Sequence, residues 1–273
     1  MRLGISTSLQ GLSPEEWGRT LREAGCRSVV FPADHTAPDS LIDDYVKAAA
    51  DNDLVIAEVG IWRNALSRDE SERKKNLQYC IDQLALAERI KANCCVNVAG
   101  SMGERWDGGY RENFSKDAFN KLVKMIKEVI DEVKPRNTYF TIEPMPWMYP
   151  DSPECYHMLL ESVSRGCFGV HMDIVNMINC PERYFFCDDF IERTFGLLGK
   201  DVKSCHLKDI KLLDDYTFQL RECPCGEGTL DIEKYVELAD KYNPDMPMII
   251  EHLENDEAYF KSLKYVRERL GIK

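Results

Sequence analysis

Four acidic or imidazole side chains stand at the carboxyl ends of four successive β-rich runs. Glu143 follows "YFTI", Asp173 closes "FGVHMD", His206 ends "VKSCH" and Glu251 follows "PMII". Each alone has an ordinary explanation. A strand-end carboxylate can be solvated, and a lone histidine is commonly a hydrogen-bonded core residue. Four in consecutive strand ends are harder to dismiss. A charge left unpaired at the end of a buried strand is costly, and three close carboxylates raise one another's pKa. A divalent cation removes both problems. Three carboxylates with one imidazole suit Mn²⁺, Mg²⁺ or Co²⁺, and Zn²⁺ less well. The expectation is therefore one divalent ion, Mn²⁺ foremost, on Glu143, Asp173, His206 and Glu251.

Such a centre needs strands that end together. β-rich runs occur at 2–6, 28–31, 55–59, 94–98, 139–143, 168–173, 202–207 and 247–251. Helical patterns separate them, at about 14–25, 40–52, 69–91, 115–133, 152–165, 188–198, 231–241 and 256–270. The first is announced by Ser13-Pro14-Glu15-Glu16, a capping box with proline in the first turn. Eight strands alternating with eight helices predict an α/β fold, a (β/α)₈ barrel spanning 1–273 as a single domain. In such a barrel the strand carboxyl ends share one mouth. An open doubly wound sheet would want a glycine-rich turn after the first strand. The "STSLQGLSPEE" found there has no G-x-G-x-x-G. The connections at 99–114 and 208–230 read as long loops of the kind that carry function.

The bulk numbers narrow the partners. The chain has 273 residues, 44% of them hydrophobic, and a net charge of −12. That is enough apolar material for a packed core. Phosphate backbones are repelled, so nucleic acid is not expected. No run approaches the roughly 18–20 apolar residues of a membrane span, and the amino terminus leads directly into a strand, so neither membrane nor leader is expected. Eleven cysteines, mostly inside apolar runs, fit reduced thiols and a cytoplasmic protein. Cys223-Pro224-Cys225 alone is thin support for a metal or redox pair.

The segments "TIEPMP", "HMDIVN", "SCHLKD", "CGEGTLD" and "IIEHLE", in this order, resemble the xylose isomerase-like TIM-barrel family along the whole chain. That family includes ketose 3-epimerases, hydroxypyruvate isomerase, inosose dehydratase and the endonuclease IV branch. The resemblance implies that the epimerase metal ligands fall on Glu143, Asp173, His206 and Glu251, with Glu143 and Glu251 doubling as the acid–base pair. One glutamate would take a proton beside a carbonyl to give a metal-stabilised enediolate, and the other would return it. Isomerisation, epimerisation and elimination share that first step. The chain departs from the ketose epimerases at three places. Tyr149 stands for a substrate-binding glutamate, Asn176 for a histidine and Leu212 for an arginine.

The expected activity is a sugar isomerase or epimerase acting on a ketose or keto-sugar derivative. The alternatives are a lyase or dehydratase with the same metal and glutamates, or a non-catalytic barrel subunit. An endonuclease IV-like enzyme would need about three metals and many histidines, and this acidic chain has five. "GSMGERWDGGY" sets Glu104 and Asp107 beside Arg105, which favours an unphosphorylated sugar. The resemblance implies a homo-oligomer of two or four copies. Substrate contacts are expected from Glu58, Trp62, Asn97, Trp147, Tyr149, Asn176 and Lys208, although for the lysine itself solvation is the reading its type favours. His171, two residues before Asp173, is expected beneath the metal, and His252 outside the barrel.

Overall fold

Ser13 and Glu16 cap one another's backbone as their spacing predicts: Ser13 N–H donates to Glu16 Oε2 at 3.0 Å, and Glu16 N–H to Ser13 Oγ at 3.4 Å. Gly25, at φ +100°, ends that helix in the left-handed region that glycine adopts without strain. The computed structural model describes every residue except Ser8 and Lys273. In chain order the elements begin β1 (Arg2–Ile5), α1 (Pro14–Ala24), β2 (Ser28–Val30), α2 (Asp39–Asp51), β3 (Val55–Gly60), α3 (Glu70–Ile90) and β4 (Cys94–Asn97). They continue with α4 (Lys116–Val133), β5 (Tyr139–Ile142), α5 (Pro153–Val163), β6 (Phe168–Asp173), α6 (Ile174–Met177), α7 (Pro181–Phe185) and α8 (Cys187–Leu198). The chain closes with β7 (Val202–Leu207), β8 (Asp209–Leu212), β9 (Leu220–Cys223), α9 (Ile232–Tyr242), β10 (Pro247–Ile250) and α10 (Asp256–Arg269).

Eight parallel strands close in the order β1-β10-β7-β6-β5-β4-β3-β2, which is the predicted barrel. β8 and β9 stand apart as an antiparallel hairpin. This corrects the expectation of a plain loop over 208–230. Among the described residues no helix is long and apolar enough to cross a membrane. All eleven cysteines are free thiols, Cys223 and Cys225 included.

Two register shifts matter for the mouth. Between β6 and β7, Val170 pairs with Val202, but the next residue, His171, pairs with Ser204. The slip sets Asp173 directly beside His206. Side chains alternate faces along a strand, so without the slip the two would not share a level on the inner face. Between β2 and β3, Val29 pairs with Ile56 and Val30 with Glu58. Here too one extra residue is absorbed, where Glu58 turns inward.

Two tyrosines brace these strands from the helices. Tyr156 of α5 places its hydroxyl among Ile142 N (3.2 Å), Ile142 O (2.6 Å), Gly169 O (3.1 Å) and His171 N (3.2 Å). Tyr235 of α9 reaches Met172 O at 2.9 Å and His206 O at 3.1 Å. Both are fully buried. They supply partners that an interrupted ladder would leave wanting.

Candidate metal centre

The four predicted ligands meet. Glu143, Asp173, His206 and Glu251 each offer one atom to a cluster in which all lie within 4.8 Å of one another, and all four are buried. Glu143 follows β5, its N–H held by Asn97 O at 2.8 Å. Asp173 ends β6, His206 lies in β7, and Glu251 follows β10.

Each of the four side chains is held by the side away from the cluster. Asn176 Nδ2 donates to Glu143 Oε1 at 2.9 Å, while Asn176 N–H donates to Asp173 Oδ1 at 3.0 Å. One asparagine thus clips two carboxylates. Glu58 Oε1 lies 3.1 Å from His206 Nε2, and Glu58 Oε2 accepts from Ser204 at 3.0 Å. Turned inward are Glu143 Oε2, Asp173 Oδ2 and Glu251 Oε2, at 3.7, 3.9 and 2.8 Å from His206 Nδ1. That nitrogen is buried and makes no hydrogen bond, because Glu251 lies close but off the direction its ring would use. A bare imidazole nitrogen facing three carboxylate oxygens fits a divalent cation of borderline or hard character.

The electrostatics are those of a crowded acidic pocket. Burial and the Glu251 and Glu143 charges push Asp173 up to about 7, against the pull of Lys208. Burial acts against charge on Glu251 too, but His206 and Lys208 hold it well below the carboxylate range. Burial likewise opposes protonation of His206, yet Glu251, Glu58 and Glu143 raise its pKa well above the usual imidazole value. Deeper in the barrel, burial and His206 lower His171 to about 4. His171 Nδ1 meets Ser204 Oγ at 3.1 Å, and its ring packs edge-on to His206 at 4.1 Å. Histidine therefore does lie beneath the cluster.

The expected substrate contacts fare unequally. Glu58 does not face the mouth. It is 1% exposed and bonded to His206 and Ser204, because the β3 slip turns it into the barrel. Asn97 spends its amide on the Arg63 backbone at 3.0 Å in both directions, so it holds the β3 loop rather than reaching a ligand. Tyr149 gives its hydroxyl to Phe114 O at 3.0 Å and packs edge-on to Phe119. Trp147 donates to Asp107 O at 2.6 Å, tying the 99–114 loop, and remains partly exposed. Trp62 adopts φ +51° and lies over Gly60, where any Cβ would stand 2.3 Å from its Nε1.

Lys208 is not solvated. It is 2% exposed, and its ammonium lies 2.6 Å from both Asp173 Oδ2 and Glu251 Oε1. The signal was in the sequence, since His206 and Lys208 are two apart and share a face. His252 is not outside the barrel either. Its φ of +58° breaks the strand alternation and brings Nε2 to 3.6 Å from Glu251. Its Nδ1 meets Glu222 of β9 at 2.8 Å. The hairpin is fastened by Asp209, whose oxygens accept from the N–H groups of Ile210 (2.8 Å), Gly226 (3.0 Å), Gly228 (2.9 Å) and Leu230 (2.9 Å). A Cβ on Gly228 would stand 2.3 Å from Asp209 Oδ1, which accounts for the glycine.

Comparison with known proteins agrees with this architecture. The family described as "Xylose isomerase-like TIM barrel" matches residues 19–269. A "Probable endonuclease 4" of Persephonella marina is 24% identical over 223 residues, covering 78% of this chain and 74% of its own. A probable 3-DHS dehydratase of Bacillus anthracis superposes with a TM-score of 0.75 at 16% identity, over 99% of both chains. A D-psicose 3-epimerase of Clostridium cellulolyticum, solved with D-tagatose, superposes at 0.73 and 12% identity, over 99% of this chain and 98% of that one.

Proposed function

Because this chain belongs to the xylose isomerase-like TIM barrel family, we propose that it is a divalent-metal-dependent sugar isomerase or epimerase. Its substrate on this reading is an unphosphorylated ketose or keto-sugar derivative, and its ion Mn²⁺. One observation carries the reading: the bare His206 Nδ1 facing the inward oxygens of Glu143, Asp173 and Glu251. Glu143, Asp173, His206 and Glu251 would hold the ion. When bound, it would polarise a substrate carbonyl and make the neighbouring C–H more acidic.

The protein's own groups handle the proton. Glu143 and Glu251 are chemically equivalent but differently partnered. Glu143 takes a neutral amide from Asn176, whereas Glu251 takes the Lys208 ammonium and faces His206. The carboxylate beside cations is the weaker base and the readier acid. Glu143 is therefore assigned removal of the proton beside the carbonyl; Glu251, ionised at rest, first takes a proton from solvent and then gives it to the enediolate. Return to the opposite face of the same carbon is epimerisation; return to the adjacent carbon is isomerisation.

The position of Lys208 favours a second reading. A buried ammonium at the edge of the pocket is a proton donor for a departing hydroxyl. Elimination after the same first step would make the protein a dehydratase, and a named dehydratase superposes on 99% of the chain. The name of the endonuclease relative finds less support in this acidic chain. Among the described residues its two clusters of metal-binding type share one histidine, His206.

Deuterium exchange tests both readings. Mn²⁺-loaded protein is incubated in D₂O with ketoses, inososes and keto-glycosides, and substrate and product are analysed by mass. Deuterium beside the carbonyl with no loss of water supports the isomerase or epimerase, and loss of water supports the dehydratase. Full turnover by both Glu143→Gln and Glu251→Gln, with metal still bound, would remove the proton-transfer scheme.

A further inference from the structure

Lys208 places a positive charge on atoms that a divalent ion would also use. Its Nζ is 2.6 Å from Asp173 Oδ2, which faces the cluster, and 2.6 Å from Glu251 Oε1. A third carboxylate, Glu222, lies 3.7 Å away on the hairpin, and the lysine is 2% exposed. Buried charges are screened little by solvent or salt, and removing the partners of a buried charge is strongly destabilising. The ammonium therefore stays with these oxygens, because among the described residues the carboxylates that compensate it are Asp173, Glu251 and, farther off, Glu222.

We propose that Lys208 is a resident competitor of the metal, holding Asp173 and Glu251 together while weakening the grip of the cluster on a divalent ion. The inference rests on the metal reading above and deepens it. Glu143, Asp173 and Glu251 supply three negative charges; one ammonium and one divalent ion supply three positive ones, so the loaded centre is neutral. Without the lysine it would carry a net negative charge and attract the ion more strongly. Two like charges sharing the oxygen of Asp173 sit within a few ångströms of one another, where repulsion in a protein interior is substantial. The consequence is a centre whose ligands stay assembled without the ion and which exchanges it readily. A purely structural lysine predicts the opposite sign, because its loss would scatter the ligands and weaken binding.

The test is a Mn²⁺ titration, read as the electron paramagnetic resonance signal of free Mn²⁺, on the full chain and on Lys208→Met and Lys208→Arg. Lys208→Met is expected to bind Mn²⁺ at least about tenfold more tightly than the parent. Lys208→Arg, which keeps the charge, is expected to stay within about threefold of the parent. Mn²⁺ should also raise the thermal midpoint of Lys208→Met more than that of the parent. Equal or weaker binding by a folded Lys208→Met overturns the proposal. Should that variant not fold, Lys208→Gln removes the charge, keeps donors for both carboxylates, and is held to the same criterion. Failure of every protein to bind Mn²⁺ overturns the metal reading and this proposal together. Binding by Lys208→Met but not by the parent supports both.

Discussion

Glu58 accepts from the Nε2–H of His206 at 3.1 Å, and that one bond decides which face of the imidazole is available. Glu58 stays ionised: burial works against its charge, but His206 and His171 outweigh it and lower its pKa. An ionised carboxylate can only accept, so Nε2 keeps its proton and Nδ1 is the nitrogen that would give up its proton to a cation. A residue four strands away from His206 thus fixes which of its nitrogens keeps the proton.

Replacing Glu58 should loosen the metal without emptying the pocket. Glu58→Gln is expected to lower Mn²⁺ affinity about 10–100-fold, the range for partners of metal-bound histidines. Isothermal titration measures it. Unchanged affinity would mean that the contact with His206 is packing alone.

Glu143→Gln and Glu251→Gln each keep the size of the side chain and lose the proton acceptor. Turnover should fall by about 10²–10⁴ in both. If Glu143 is the base, its variant should also lose the exchange that precedes product formation. Glu251→Gln should retain more exchange than turnover.

Tyr156→Phe removes one hydroxyl from among four backbone groups of β5 and β6. The expected cost is about 1–3 kcal/mol, since buried groups lose a partner. Urea denaturation should show a lower midpoint at unchanged slope. A stability equal to the parent would show that the strands satisfy these groups themselves.

Asp209→Ala strips the acceptor from four backbone N–H groups of the hairpin base. Limited proteolysis should then cut within 213–230 faster than in the parent, while the barrel remains folded. An unaltered cleavage pattern would show that β8–β9 pairing suffices to hold the hairpin.

The barrel and its four-residue cluster could be read in advance because both depend on simple periodicities. Strand–helix alternation sets the fold, and the inner face at a strand end sets Glu143, Asp173, His206 and Glu251. Local irregularities hid the rest. The slip in β3 turns Glu58 inward, and no residue type in "VIAEVG" announces it. A left-handed His252 cancels the alternation that would have sent its ring outward. The hairpin escaped because its strands are four residues each and carry mixed charge. Tyr156 and Tyr235 look from sequence like ordinary apolar helix residues, since only the third dimension brings their hydroxyls to the strands.

The run His206-Leu207-Lys208-Asp209 packs a cluster ligand, a buried cation and the hairpin clamp into four consecutive positions. An indel inside that run would disturb all three at once, so exchanging the hairpin has to respect it. The splice points lie beyond Leu212 and before Leu220, at the hairpin tip, where the fully exposed Tyr216 sits. A library built at 213–219 could vary the hairpin tip while the residues assigned to the proton and the ion remain untouched.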